Sequence, residues 1–226
     1  MKSCEIDVII AVYNGEKFIE EAIASVQNQT WKDLHIIVVD DGSTDQTLAI
    51  VTELSKSDDR ITILPRSHQG VSAALNAGIQ HSSARHIAFL DADDLWDTTK
   101  LAVQMEVLAN SDNEVCFCMV QEFETLPDDA RQSYRARKEP MKGFSKISFL
   151  GKRSIFDRFG LFDETVAIGD FVDWFSRAVR AKVPFIMLDQ VLAFRRIHEN
   201  NTTRNISKNV FLKLLKTHLD ANRQHS

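Results

Sequence analysis

The chain is short of cysteine, with only Cys4, Cys116 and Cys118 among 226 residues. An odd number cannot form a fully paired disulfide framework, and Cys116-x-Cys118 stands in a strand-like run rather than at a zinc spacing, so buried reduced thiols are expected. No long hydrophobic run is present. The first residues carry one lysine, then Glu5 and Asp7, before an apolar stretch that breaks at Asn14, which fits neither a secretory leader nor a membrane-spanning helix. Excess positive charge is missing too. A net charge of -5 and a pI near 5.8 give no electrostatic reason to expect nucleic acid. There is no internal repeat and no low-complexity tract. These absences point to the cytoplasm, with any membrane attachment peripheral at its inner face, and make the Asn-x-Thr matches at Asn28 and Asn201 chance sequons.

What remains is the composition of a soluble globular protein, 44% hydrophobic and 26% charged, long enough to bury a sizeable core in one domain. Ile6 to Tyr13 is almost continuously apolar and β-branched, as a parallel strand covered on both faces would be. Phe18, Ile19, Ala22, Ile23 and Val26 then recur at helical spacing, predicting a helix over about Glu16 to Asn28. Leu34 to Val39 is a second strand running into Asp40-Asp41-Gly42. Ser43 to Gln46 matches a capping box for the helix of Leu48, Val51 and Leu54. A strand at Ile61 to Leu64, a small-residue helix at Gly70 to Gly78 and a strand at Ile87 to Leu90 follow, with a helix near Thr98. Alternation of strand and helix to about residue 108 argues for an α/β fold with a largely parallel sheet. Beyond it come a strand at Val115 to Phe123, a helix at Asp170 to Ala181, short strands at Phe185 to Leu188 and Leu192 to Phe194, and a final helix near Val210 to Leu219. Residues 206–226 form a C-terminal helical segment. Leu126 to Lys142 has no clean apolar period and reads as an exposed loop. Its Arg131, Arg135, Arg137 and Lys138 offer contacts for an anionic acceptor or lipid surface.

The chemistry concentrates where the apolar run ending at Leu90 meets Asp91, Asp93 and Asp94. Carboxylates crowded at a strand end repel one another unless a cation sits among them. Mg²⁺ and Mn²⁺ commonly complete such a shell with substrate phosphates. A solvated acidic turn before a helix is the plainer alternative. Further on, Asp170, Asp173 and Arg177 share one helical face, which is either a catalytic edge or a solvent-facing ion-pair row.

Taken in order, I-I-A-V-Y-N-G, V-V-D-D-G-S-T-D and F-L-D-A-D-D-L-W, then G-L-F-D-E, G-D-F-V-D-W-F and R-R-I-H-E-N-N, resemble the family 2 inverting glycosyltransferases of the GT-A fold. The resemblance spans roughly residues 5 to 205 and implies a nucleotide-binding half to about residue 108 and an acceptor-binding and catalytic half over residues 109–205. It implies a nucleotide-sugar donor, a UDP-sugar for preference, and a hydroxyl acceptor on a glycan, a lipid-linked carrier or another molecule, in polysaccharide or glycoconjugate synthesis. Val12, Tyr13 and Asn14 lie where the family holds the nucleotide. Asp40 matches the aspartate that reads the base edge, and Asp41 orients the loop or the ribose. Asp93 would ligate Mn²⁺ or Mg²⁺, Asp91 would contact ribose or metal, and Asp94 would stand behind them. Asp170 matches the catalytic base of a single displacement. Here the chain departs from the commoner Glu-Asp-x-Asp-x-Trp: Gly169 takes the place of the Glu and Val172 that of the second Asp, which leaves Asp173 one position displaced as the competing base. His198 is the expected third metal or phosphate contact, and Arg195 or Arg196 the phosphate clamp.

Rival functions are narrower. V-V-D-D also occurs in signalling receivers, but those are much shorter. A nucleotidyltransferase of related architecture would carry a Gly-rich phosphate loop near the N-terminus, which is missing. A non-catalytic nucleotide-sugar-binding module of the same fold fits the altered acidic motif.

Overall fold

The computed structural model describes residues 4–125, 136–166, 169–198 and 201. Nine strands are described: β1 (Ile6–Val12), β2 (Leu34–Asp40), β3 (Ile61–Pro65), β4 (His86–Phe89), β5 (Leu95–Trp96), β6 (Val115–Glu124), β7 (Met141–Lys142), β8 (Leu150–Lys152) and β9 (Phe185–Ile197). The helices are α1 (Ile19–Gln27), α2 (Thr47–Ser57), α3 (Val71–His81), α4 (Lys100–Ala109), α5 (Ser154–Phe159) and α6 (Asp170–Arg180), with a 3-10 turn at Lys146–Ser148. The strands form one sheet in the order β3-β2-β1-β4-β8-β6-β9-β5, with β7 on β6. Its long ladders, β3-β2-β1-β4 and β6-β9, are parallel. Only the short strands β5, β7 and β8 pair antiparallel.

Both faces of this sheet are covered, which is why β1, β2 and β4 are nearly continuously apolar rather than apolar at every second residue. On one face Ile6, Val8 and Ile10 of β1 meet Ile19, Ala22, Ile23 and Val26 of α1, Val51 of α2 and Leu101 of α4. On the other, Ile9 and Ile37 meet Ala74 and Leu75 of α3, Phe156 of α5 and Trp174 of α6. Helix α3 is built of small residues because it lies almost on the strand. A methyl group at Gly78 would come within 2.5 Å of Ile9 Cγ2. Growth of the sheet reverses at β1, which has β2 on one side and β4 on the other. That reversal opens a crevice at the carboxyl ends of the strands, where open α/β sheets bind ligands.

Several local expectations change. The capping box at Ser43 does not form. Helix α2 starts at Thr47, and Asp45 rather than Ser43 accepts from the Thr47 N–H, at 3.0 Å. Ser43 Oγ instead accepts from Asn14 N–H. The two late strands are one strand, β9, whose ladder with β6 shifts register between Phe117 and Val120. The segment expected as loop from Leu126 to Lys142 contains β7 at its end, and Arg137 and Lys138 precede it. Arg131, Arg135 and the helix expected near Val210 to Leu219 lie outside the described residues. Cys116 and Cys118 are buried and free, and burial pushes the Cys116 thiol up to about 12. No helix among the described residues is long and apolar enough to cross a membrane.

Candidate active site

The crevice is a cleft of about 910 Å³ whose walls include Val12, Tyr13 and Asn14 after β1, Asp41 after β2, and Asp91, Asp93 and Asp94 after β4. Asp170 at the start of α6 and Arg195, His198 and Asn201 at the end of β9 close it. Residues from 14 to 201 in the sequence therefore converge because parallel strands point their C-terminal ends the same way.

One end of the cleft is a pair of loops stapled to each other. Asn14, in left-handed conformation at φ 52°, accepts from Thr44 N–H at 2.8 Å. Glu16 and Asp45 exchange contacts with the opposite backbone at Gln46 and Glu16. The side chain of Tyr13 is half exposed and stacks on the His68 ring, centroids 4.0 Å apart and planes 26° apart. Asp41 fixes that ring. Its carboxylate accepts from Gln69 and Gly70 N–H at 2.9 and 2.8 Å and lies 2.9 Å from His68 Nδ1. Asp41 thus ties down the loop of residues 68–70. Asp40 stands behind the wall, buried. Its Oδ2 accepts from Ser43 N–H at 3.3 Å, and its Oδ1 has no hydrogen-bond partner.

At the acidic end, Asp93 Oδ2 lies 2.8 Å from His198 Nε2 and 3.3 Å from Asn201 Nδ2. The imidazole and the amide are thus within hydrogen-bonding reach of the same carboxylate oxygen. No group of three or more His, Cys, Asp or Glu among the described residues surrounds a metal-sized space. Two protein ligands with a diphosphate completing the shell suit Mg²⁺ or Mn²⁺, and the donor set fits on that ground. Asp94 is buried and accepts from Arg196 N–H at 2.8 Å. Desolvation, then the charges of Asp93 and Asp91, push its carboxyl well above the usual range.

Arg196 is placed differently from the expected phosphate clamp. Its Nε donates to Asp93 O at 2.7 Å, its Nη2 pairs with Glu21 at 2.6 Å, and its guanidinium lies between the rings of Phe18 and Phe123. It is 3% exposed and braces the acidic loop from behind. Along a strand neighbouring side chains point to opposite faces, so with Arg196 turned inward it is Arg195 that meets the cleft.

The two competing bases are separated clearly. Asp170 lies in the cleft wall, 7% exposed, with Oδ1 accepting from Phe171 N–H at 2.8 Å. Gly169 before it sits at φ 84°, a conformation in which the commoner glutamate would be strained. Asp173 instead pairs with Arg177 at 3.3 Å, and Arg177 is held by the carbonyls of Phe159 and Leu161. One residue was not anticipated. Lys146, on the 3-10 turn, places Nζ 3.6 Å from Asp91 Oδ1 and 3.5 Å from Asp170 Oδ2. Nothing in the surrounding G-F-S-K-I-S marks it.

A curled, mostly parallel sheet with its cleft at the β1/β4 reversal, lined by strand-end acids, defines the GT-A class of nucleotide-sugar transferase fold. The chain belongs to glycosyl transferase family 2, whose model matches residues 7–163. Among similar proteins, the putative glycosyltransferase EpsH of Bacillus subtilis is 33% identical over 67% of this chain and 45% of its own length. The uncharacterized glycosyltransferase RP339 of Rickettsia prowazekii is 30% identical over 88% of this chain and 65% of its own. The chain thus spans less than two thirds of either relative. Solved structures of similar fold include S. aureus TarS 1-349 in complex with UDP-GlcNAc, at TM-score 0.73 and 18% identity, over 90% of this chain and 61% of that one. The mannosyltransferase PcManGT from Pyrobaculum calidifontis, in complex with GDP-Man and Mn²⁺, matches at TM-score 0.71 and 19% identity, over 89% of this chain and 59% of that one.

Proposed function

We propose that the cleft binds a nucleoside diphospho-sugar, UDP-linked for preference, and transfers the sugar to an acceptor hydroxyl with inversion. The observation that carries this reading is the placement of Asp93 with His198 in the same cleft as Asp170, two acidic centres of different surroundings. Tyr13 and His68 offer a flat aromatic wall to the base. Asp40 is buried behind the wall and holds the loop at Ser43, and of the two arginines expected as the phosphate clamp Arg195 takes the phosphate-facing role. Asp93 and His198 would hold Mn²⁺ or Mg²⁺, with Asp91 at its edge. Such an ion, when bound, supplies positive charge against the diphosphate leaving group. Asp170 accepts the proton of the acceptor hydroxyl as its oxygen bonds to the anomeric carbon. The bond from that carbon to the diphosphate oxygen breaks on the opposite face, and the nucleoside diphosphate leaves with the electron pair. That the bound complexes of TarS and PcManGT hold UDP-GlcNAc and GDP-Man supports the donor class. The reading includes a cytoplasmic site of action with peripheral membrane contact, and a role in polysaccharide or glycoconjugate synthesis.

Calorimetric titration of UDP and GDP, with Mn²⁺ or with chelator, tests it. The wild type should bind a nucleoside diphosphate only with metal, and Asp93→Ala should lose that binding by tenfold or more, about 1.4 kcal/mol. Asp170→Asn should keep binding and lose nucleoside diphosphate release from the sugar donor by about 10²- to 10⁴-fold. A folded wild type that binds neither nucleotide would overturn the assignment. Binding without turnover would favour the non-catalytic module.

A further inference from the structure

We propose that Lys146 is the internal counter-ion of the cleft, a positioning residue whose ammonium holds Asp170 against Asp91 and so fixes the proton acceptor relative to the donor-binding acids. The inference rests on the role given above to Asp170. Three observations carry it. First, Lys146 Nζ lies between two carboxylates from different elements, 3.6 Å from Asp91 and 3.5 Å from Asp170, with a side chain only 15% exposed. Second, Asp170 Oδ2 is buried without a hydrogen-bond partner, so the ammonium is the charge it faces. Third, the turn that carries Lys146 is fastened on all sides. Trp96 Nε1 donates to Ile147 O at 2.8 Å, Ser148 Oγ to Gly143 O at 2.7 Å, and Gln104 Nε2 to Ser148 O at 2.9 Å.

These anchors leave only the four-carbon stem to adapt. Asp170 is the first residue of α6, after a left-handed glycine, and its Oδ1 is engaged by its own helix. Rotation about χ1 is therefore restrained from both carboxylate oxygens, by the Phe171 N–H on one and Lys146 on the other. Without the ammonium, the carboxylates of Asp91 and Asp170 would lose the charge that contacts both of them. Burial disfavours the ammonium, but the charges of Asp91 and Asp170 outweigh it and raise its pKa above the usual lysine value. The same positive charge opposes entry of a divalent cation beside Asp91 and Asp93, so the free chain tolerates its acids before a donor brings phosphate and metal together.

Two readouts test this on Lys146→Met and Lys146→Arg. Electron paramagnetic resonance titration of Mn²⁺ without nucleotide should show several-fold tighter binding to K146M, since a unit charge a few ångströms away is removed, and near-wild-type binding to K146R. With UDP-GlcNAc and GDP-mannose as probes, donor affinity of K146M should stay within about threefold. Its kcat for nucleoside diphosphate release should fall about 10²-fold, as expected for a base misplaced by an ångström, with K146R recovering much of that loss. Unchanged Mn²⁺ affinity in a folded K146M overturns the proposal. So does a kcat loss that K146R fails to relieve and that tracks melting temperature, which marks a merely structural lysine. If the wild type binds neither nucleotide, the transferase reading fails on its own, and the Mn²⁺ comparison alone decides the counter-ion.

Discussion

Tyr13 shows how a single residue can be read from chemistry alone. An aromatic ring 47% exposed at the lip of a cleft contributes little to the core, and its contact with His68 leaves one face for a planar ligand. Tyr13→Ala should therefore weaken binding of the nucleoside diphosphate by roughly tenfold or more, base stacking being worth about 1–3 kcal/mol. Melting temperature should stay within a few degrees, and calorimetry beside thermal denaturation separates the two effects. The places of Tyr13, Asp91 and Asp93 were legible because each sits where an apolar run stops, and that of Asp170 because it opens a helix stripe; such boundaries survive without coordinates, whereas the roles expected of them came from the family resemblance. Lys146 was not legible, since its position depends on a 3-10 turn pinned by Trp96 and Gln104 from far along the chain. Between Arg195 and Arg196 the sequence could not choose. Twin residues on a strand face opposite ways, and which is inward depends on the register of β9 with β6.

Elements, rather than residues, decide what Arg196 does. It joins β9 to α1 through Glu21 and to the loop after β4 through the carbonyl of Asp93, while Phe18 and Phe123 cover its two faces. The outer carboxylate, Glu21, is 60% exposed, so that ion pair is worth little by itself. The loss on truncation comes from the buried hydrogen bond and the ring contacts, together about 2 kcal/mol. Arg196→Met should lower urea stability by that amount and weaken metal-dependent nucleotide binding as the Asp93–Asp94 loop loosens. Arg196→Lys should rescue neither, because a point charge cannot span Glu21 and the Asp93 carbonyl together. Nucleotide affinity left intact in a destabilised R196M would remove the brace from the site. Strand and helix types were legible throughout the parallel half, where period and length agree. The later half was less so: β8 and α5 are three and six residues long, and β9 carries irregular register, so neither leaves a periodic signal. Helix α4 holds a similar surprise. Lys100 is wholly buried against the Trp96 ring and Gln104, and desolvation lowers its ammonium to about 8, a core lysine that composition alone would place on the surface.

Across the whole molecule the sheet keeps two kinds of buried acid at its opposite ends. At the cleft, Asp94 is pushed up by burial and by the neighbouring charges of Asp93 and Asp91. At the other end of β1, Asp7 is just as buried, yet fully satisfied. Ser82 Oγ donates to it at 2.6 Å, the backbone N–H groups of Ser83 and Ala84 at 3.1 Å, and His35 Nδ1 lies at 3.3 Å. Burial alone would raise its pKa, but these hydrogen bonds outweigh burial and hold the carboxyl down at about 2. A carboxyl whose folded pKa lies below its unfolded value of 3.8 binds protons more readily when unfolded. Its stabilisation is therefore complete above pH 4 and is lost as pH falls through 2. The shift corresponds to about 2 kcal/mol. Asp7→Asn should be less stable than wild type by about that much at pH 7, with the two urea-denaturation curves converging as pH approaches 2. Asp7 stands five strand positions from Val12, roughly 17 Å from the cleft. Nucleotide affinity of Asp7→Asn, measured where it remains folded, should consequently match the wild type within about twofold. A larger loss would mean that the two ends of β1 are coupled, and that the acids at the cleft depend on a foundation laid at the far edge of the sheet.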